Sequence, residues 1–304
     1  MLALACTLIT AATGTSTDAD AWIIRERATE THSLVHAVVS AADNKAMRMR
    51  FGDEVTQNAS LSSEELAKKL VNPVASLISV PIQSNYDQHI GPDGAGDRFL
   101  INVQPVVPIS LNEDWNLISR TIVPLVHQSD VLPGMGDQSG MGDILQSLFF
   151  SPVKPTKDDW IWGAGPVFLL PSATDDLLGG EKWGAGPTFV ALQQTGPWTY
   201  GALMNHVWSF AGASDRADTN ATFLQPFVSY TTSDAWTYTL ELESTYDWET
   251  SDWSVPIIGV VSKVLTVGEQ RINIFGGIKY WAASPQSGAD DFGFRLGVSL
   301  LFPR

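Results

Sequence analysis

The chain has few cysteines, few basic residues and no long apolar run. Its 304 residues include one cysteine, Cys6, which excludes a disulfide framework and a CxxC metal site. Lys and Arg number 18 against 33 Asp and Glu, and the net charge of −15 argues against a nucleic-acid partner. No stretch approaches the ~18 apolar residues of a transmembrane helix. A membrane β-barrel is not excluded by these absences, because its strands are short and alternate in polarity.

The amino-terminal residues resemble a secretory signal peptide, although no basic residue precedes the apolar stretch 2–12. Ala19-Asp20-Ala21 has the form of a cleavage site. We therefore predict a signal peptide over 1–21 and an amino-terminal segment over 22–75, either periplasmic or a plug in the lumen. Within that segment, Ser62 and Glu65 form a capping-box pattern, which predicts a short helix over 63–71.

From residue 76 onward, twelve segments with few charges recur between Gly-, Asp-, Ser- and Pro-rich links. In the last of them, Phe292, Phe294 and Leu296 alternate with Gly293 and Arg295. A period of two predicts β-strands. The predicted strands span 76–86, 98–110, 115–127, 139–151, 159–171, 183–194, 197–209, 221–231, 236–246, 253–265, 271–282 and 292–302. The fold class is therefore all-β, an antiparallel up-and-down transmembrane barrel of about 12 strands over 76–304, preceded by the short helical segment.

The links between these segments alternate in length without exception. Tight turns and longer loops at opposite ends are typical of outer-membrane barrels, with the turns periplasmic and the loops external. Prolines inside the predicted strands oppose a regular ladder, because each requires a bulge or a break. They are Pro81, Pro105, Pro108, Pro124, Pro166, Pro187, Pro226 and Pro256.

Several stretches resemble a bacterial outer-membrane β-barrel family named for the meta-pathway of phenol degradation, whose members are often labelled transporters. The stretches are 72–81, 112–124, 163–171 with 183–187, and 300–304. The resemblance covers roughly residues 68–304 and implies a barrel that passes small molecules. It supplies no catalytic residue.

Glu241 and Glu243 share a strand face whose opposite side is apolar and aromatic, so both are predicted to point into the lumen. Arg120 is predicted at the height of Glu241, and Arg295 slightly higher. Two arrangements stay open: direct ion pairs that close the barrel, or charges that face each other across water at a constriction. The lumen-facing candidates are Glu241, Glu243, Arg120, Arg295, Arg271, Lys279, Arg98, Asn102 and Gln104.

The six predicted long links hold most of the negative charge and predict an acidic external rim. Two accounts stay open: the acids only keep the loops solvated, or the rim gathers divalent cations beside lipid head groups and disfavours anionic solutes. Its two bases are Lys182 and Arg216. Its acids are Asp87, Asp93, Asp97, Asp130, Asp137, Asp175, Asp176, Glu181, Asp215, Asp218, Asp247, Glu249, Asp252, Asp290 and Asp291.

The sequence favours an outer-membrane channel for passive passage of small solutes, with small hydrophobic or aromatic compounds implied by the resemblance. The alternative is a plugged structural or adhesive barrel whose loops carry the function. A barrel hydrolase is a remote third, because Asn205 and Ser209 share one strand face and His206 the other. We predict no enzyme activity, cofactor or metal; the expected partners are outer-membrane lipid and a small-molecule solute. The oligomeric state stays open.

Overall fold

A computed structural model describes residues 61–302. The predicted signal peptide and the part of the amino-terminal segment over 22–60 lie outside these residues. Helix α1 covers Ser63–Val71. The strands are β1 (Ile78–Ile90), β2 (Gly96–Val103), β3 (Val106–Ser110), β4 (Trp115–Ser129), β5 (Gln138–Met141), β6 (Ile144–Pro152), β7 (Trp160–Leu170), β8 (Lys182–Thr195), β9 (Trp198–Gly212), β10 (Asn220–Thr231), β11 (Trp236–Leu242), β12 (Ser244–Asp247), β13 (Asp252–Val267), β14 (Gln270–Ala283) and β15 (Asp291–Phe302).

The fifteen strands form a closed antiparallel barrel. They make up twelve staves, by which we mean strands or in-line pairs of strands that cross the barrel wall once, and this number agrees with the prediction. Three staves consist of two strands in line: β2 with β3, β5 with β6, and β11 with β12. Neighbouring staves pair antiparallel around the ring, and β15 returns to pair with β1, with Val80 opposite Leu300. Each of the twelve predicted segments overlaps one stave.

Prolines cause the three interruptions. Val103 and Val106 keep the same register against β4, so Gln104-Pro105 is a local break. The β5–β6 break shifts the register opposite Pro124, from Leu125↔Met141 to Ile122↔Leu145. The β11–β12 break lies beside Pro226 and Pro256. Proline donates no ladder hydrogen bond, which explains why regular pairing stops there.

The link lengths correct one sequence prediction. One end of the barrel, the long-loop end, carries links 91–95, 130–137, 171–181, 213–219, 248–251 and 284–290. The other, the short-turn end, carries 111–114, 153–159, 196–197, 232–235 and 268–269. Strict alternation is wrong, because link 248–251 is no longer than 232–235. The strands extend into the predicted loops, since pairing the backbone of a barrel satisfies its hydrogen bonds.

The outer face is apolar and bordered by aromatic rings. Four strands begin at the short-turn end with an exposed tryptophan: Trp115, Trp160, Trp198 and Trp236. Exposed aromatic side chains near the long-loop end include Trp183, Trp208, Trp253 and Phe292. Along β9, Leu203, Asn205 and Val207 are buried inside, whereas Met204 and Trp208 are exposed outside. This distribution matches the apolar band and aromatic girdles of membrane barrels.

Helix α1 lies against the inside of the short-turn end. Ser62 caps it, and the backbone N–H of Ser62 donates to Glu65 at 2.8 Å, which lowers the pKa of the Glu65 carboxyl. Leu66 and Ala67 are buried in a cluster with four residues of the barrel and the linker, namely Leu77, Ala235, Val264 and Leu301. Among residues 61–302, no helix has the length and apolarity needed to cross a membrane.

Candidate pore and its charged layer

The barrel interior is divided between an apolar packing and two cavities. Ile118, Phe149, Val190, Leu192 and Leu203 are buried together on one side of the lumen. Beside them, a lower chamber of ≈ 260 Å³ extends toward α1, and an upper chamber of ≈ 550 Å³ extends toward the long-loop end. Both chambers are lined by Gln83, Gln104, Arg120, Gln225, Glu241 and Arg295. We call these six residues, together with Glu243 of the upper chamber, the charged layer.

Arg295 is the centre of the charged layer. Its Nη1 donates to Glu241 Oε1 and to Glu243 Oε1, both at 2.9 Å, and its Nη2 donates to Glu243 Oε2 at 2.7 Å. Its Nε donates to Asn85 Oδ1 at 2.9 Å. The Arg295 side chain is only 4% exposed. One guanidinium therefore holds both carboxylates, and the direct ion pair is the arrangement present at this position.

Arg120 is placed differently from Arg295. Its Nη2 donates to Gln104 Oε1 at 2.9 Å, and within residues 61–302 it forms no ion pair. Gln225 Nε2 donates to Glu241 Oε2 at 2.9 Å. The layer thus combines a three-residue ion-pair network with a guanidinium whose remaining N–H donors are directed to no described carboxylate.

Asp87 is a correction to the predicted rim. Strand β1 continues to Ile90, so the Asp87 side chain lies inside the barrel and is buried. Lys279 Nζ donates to its two oxygens at 2.9 and 3.0 Å, and Trp281 Nε1 donates to Oδ1 at 3.0 Å. Lys182 also departs from its predicted loop position, because it is the first residue of β8 and is buried.

Two of the other lumen-facing candidates line the upper chamber, and a third contacts the helix. Arg98 and Asn102 line the upper chamber, and the Nε atom of Arg98 is buried without a hydrogen-bond partner within residues 61–302. Arg271 instead fastens the helix, because its Nη1 donates to Ser63 Oγ at 2.9 Å and its Nη2 approaches Leu61 O at 3.5 Å. Nothing in the sequence pattern singled out this helix contact.

Apart from Asp87, the predicted rim acids lie at the long-loop end. Asp93, Asp176, Glu249 and Asp290 are exposed in links, and Asp175 and Glu181 are partly buried there. Asp97, Asp247, Asp252 and Asp291 lie in strand ends. Asp218 accepts hydrogen bonds from Lys182 Nζ at 3.0 Å and Ser209 Oγ at 3.1 Å, and these lower the pKa of its carboxyl.

The residues considered for a hydrolase are not assembled into a nucleophile and base. His206 Nδ1 is 2.7 Å from Thr222 Oγ1 on the outer face, and its ring lies 4.0 Å from that of Trp208. Ser209 instead bonds to Asp218, and Asn205 is buried inside the barrel.

Sequence reasoning missed Asn85, Gln83 and Gln225 in the charged layer and its surroundings. All three lie on inward faces next to prolines or long polar stretches, where the period-two pattern is weakest. Their signal is the amide side chain itself, which rarely stands in a membrane strand unless it faces the lumen.

Comparison with solved structures agrees with this architecture. The chain is similar to the COG4313 outer membrane channel from Pseudomonas putida F1, at 13% identity and a TM-score of 0.60, over 75% of this chain and 96% of that one. Lower scores relate it to the NanC porin (12% identity, TM-score 0.46, 73% and 98% covered) and to the outer membrane phospholipase of Salmonella typhi (10%, 0.45, 78% and 97%).

No protein-family model and no curated protein sequence matches the chain. The first likeness therefore shows the fold alone, which is that of outer-membrane barrels, and the two lower-scoring ones carry no argument. The class of protein is a twelve-stave barrel of outer-membrane type.

Proposed function

We propose that this protein is an outer-membrane channel for passive passage of small solutes. The observation that carries the proposal is the pair of chambers that meet at the charged layer, since together they extend from α1 to the long-loop end. A barrel of twelve strands encloses more lumen than one of eight but less than a porin of sixteen. A narrow, charged constriction suits small molecules.

In this proposal the long-loop end is external and the short-turn end is periplasmic. Helix α1 closes part of the lower chamber and is held by Arg271 and by the packing of Leu66 and Ala67. Passage then requires a route beside the helix or its displacement. Preference for small hydrophobic or aromatic compounds, like membership of the meta-pathway family, rests on the sequence resemblance and stays a prediction.

The alternative is a plugged barrel that does not conduct and whose loops carry the function. The observation in its favour is the apolar packing of Ile118, Phe149 and Leu203 across one side of the lumen. The same experiment separates the two functions, because a plugged barrel gives no ion current.

The test is planar-bilayer recording of the wild type and of Glu241→Gln/Glu243→Gln. We expect the wild type to conduct and the variant to favour anions more strongly, since two negative charges leave the constriction. Glu113→Gln/Glu269→Gln is the matched control, because it removes the same charge from exposed links of the short-turn end, outside the acidic rim. A folded wild type that never conducts would reject the channel. A selectivity unmoved by the lumen variant would remove these carboxylates from the path.

A further inference from the structure

The upper chamber contains more cationic than anionic side chains. Its lining includes four cations, Arg98, Arg120, Lys279 and Arg295, and three acids, Asp87, Glu241 and Glu243. Lys279 and Arg295 hold all three acids in ion pairs. Arg98 and Arg120 are therefore the cations of this chamber that form no ion pair among the described residues.

The strand register and the hydrogen bonds of Asp87 explain why the Arg98 guanidinium has no carboxylate partner among the described residues. The β1–β2 ladder places it directly opposite Asp87, its natural partner. Both oxygens of Asp87 are already engaged by Lys279, and one of them also by Trp281. The Arg98 side chain accordingly forms no hydrogen bond or ion pair within residues 61–302, and its Nε is a buried donor without an acceptor. A buried unsatisfied donor is costly unless a ligand or water supplies the acceptor.

Arg120 has no carboxylate partner among the described residues for a similar reason. Arg295 holds both Glu241 and Glu243, so Arg120 has only the Gln104 amide oxygen at 2.9 Å. A guanidinium carries five N–H donors, which leaves most of them for an incoming acceptor. Carboxylates match its planar fork in a bidentate manner.

The wall between the two arginines is mainly apolar, with Asn102 as a polar side chain on the same face. On inward faces, Leu100 follows Arg98 on β2 and Ile122 follows Arg120 on β4, with Leu145 directly opposite Ile122. Arg98 lies opposite Gln128, so the two arginines are separated by eight residues of β4, or about 26 Å. A solute that moves along this wall meets a cation, an apolar stretch and a second cation.

We propose that the upper chamber takes up small organic monocarboxylates with an apolar body, at two successive positions formed by Arg98 and Arg120. The inference rests on the proposed channel and names its solute class. The chamber volume of ≈ 550 Å³ lies within the roughly 300–1,000 Å³ of small-molecule sites. The acidic long-loop end opposes anion capture, but salt at about 0.15 M screens exposed charges beyond ~8 Å.

The test uses 4-fluorobenzoate as the probe, titrated into the full-length protein in detergent micelles at that salt concentration and followed by ¹⁹F NMR. We expect saturable binding at two positions. Arg98→Gln and Arg120→Gln should each weaken one of them by about tenfold or more, the loss typical of a hydrogen bond to a charged group, and leave the other position intact. Lys263→Gln is the matched control, because Lys263 lies over the ring of Trp236 outside the chamber. The wild type and the variants should all bind the neutral analogue 4-fluorobenzamide with the same affinity.

Several outcomes separate this inference from the channel itself. Unsaturable binding, or equal affinities in all variants, overturns the carboxylate site even where the protein conducts. Saturable, arginine-dependent binding to a barrel without ion current supports the site and rejects the channel. Heat-dependent gel mobility checks that each variant is folded. If an arginine variant does not fold, the affinities of the wild type alone test the proposal. The wild type should bind 4-fluorobenzoate more tightly than 4-fluorobenzamide, and 4-fluorobenzamide more tightly than 4-fluorobenzylamine; any other order overturns the carboxylate site.

Discussion

Replacing Arg295 by Met tests whether one guanidinium holds the charged layer together. The substitution keeps the length of an unbranched side chain and removes three hydrogen bonds to carboxylates and one to Asn85. Glu241 then keeps only the amide of Gln225. Glu243 loses its single ion-pair partner among the described residues.

The expected loss follows from burial. Removing one partner of a buried ion pair typically costs about 3–5 kcal/mol, because it leaves an uncompensated charge. The Arg295 side chain is 4% exposed, against 14% for Glu241 and 25% for Glu243. Both carboxylates border cavities large enough for water, so we expect the lower end of the range, about 3 kcal/mol of unfolding free energy. The triple variant Arg295→Met/Glu241→Gln/Glu243→Gln should return to within about 1 kcal/mol of the wild type, since the two carboxylates lose their charge together with the guanidinium that paired with them.

The measurement is urea unfolding of the barrel refolded in micelles, followed by tryptophan fluorescence and by heat-dependent gel mobility. Lys263→Met is the control, because it removes one positive charge, as Arg295→Met does, but from the outer face of the barrel. The reasoning is refuted by a single variant as stable as the wild type, or by a triple variant less stable than the single one. Either result would mean that the network is fully hydrated and contributes little to the fold.

Two further predictions concern the long-loop end. Asp143→Ala should make link 171–181 more sensitive to limited proteolysis, because the Asp143 carboxylate accepts three backbone N–H groups of residues 172–180 at 2.7–3.1 Å; unchanged cleavage would contradict this role. The pKa of Asp218 is lowered by its bond to Lys182, so this pair stabilises the loop above the ordinary carboxyl pKa and loses that contribution as the pH falls through the lowered value. Pepsin cleavage of link 213–219 should rise below about pH 4 in the wild type, and Asp218→Asn should show no such step.

The architecture was predictable because a barrel wall repeats one simple rule. Every strand presents alternate residues to lipid and to the lumen, so Phe292, Phe294 and Leu296 are exposed outside while Arg295 is buried inside. The same rule placed Glu241 and Glu243 on the lumen side. The helix over Ser63–Val71 was predictable from its capping box, which is a purely local signal.

The partner of each charge was not predictable from one sequence. Asp87 was assigned to the rim because the predicted strand stopped at Tyr86, and charge alone suggested a loop. Strand β1 continues instead because its extra residues pair with Asp97 and Gly96 of β2. Which cation an acid meets depends on register around the ring, and Lys279 lies 192 residues away in sequence. The alternation of residues within one strand does not show which side chains from distant strands will meet in the lumen.

The prolines and the charged layer belong to the same level of the barrel, and this coincidence has a physical reason. Gln104 precedes Pro105, Gln225 precedes Pro226, and Glu243 N approaches Pro256 O at 3.3 Å. A proline donates nothing to the ladder, although its carbonyl can still accept, as Pro81 O accepts from Gln104 N at 2.8 Å. A wall with missing donors cannot face lipid alone, because unsatisfied carbonyls are costly there.

A polar lumen at this level can offer hydrogen-bond partners that lipid cannot. Amide side chains and water-sized space lie behind the interrupted staves, and on the outer side Gln146 Nε2 donates to Arg120 O at 3.3 Å and to Ser147 O at 3.0 Å. The break in the ladder and the charged constriction therefore occur at one level of the wall. An apolar core behind these prolines would offer no partner to a backbone group that the ladder leaves unpaired, whereas a polar lumen with room for water does.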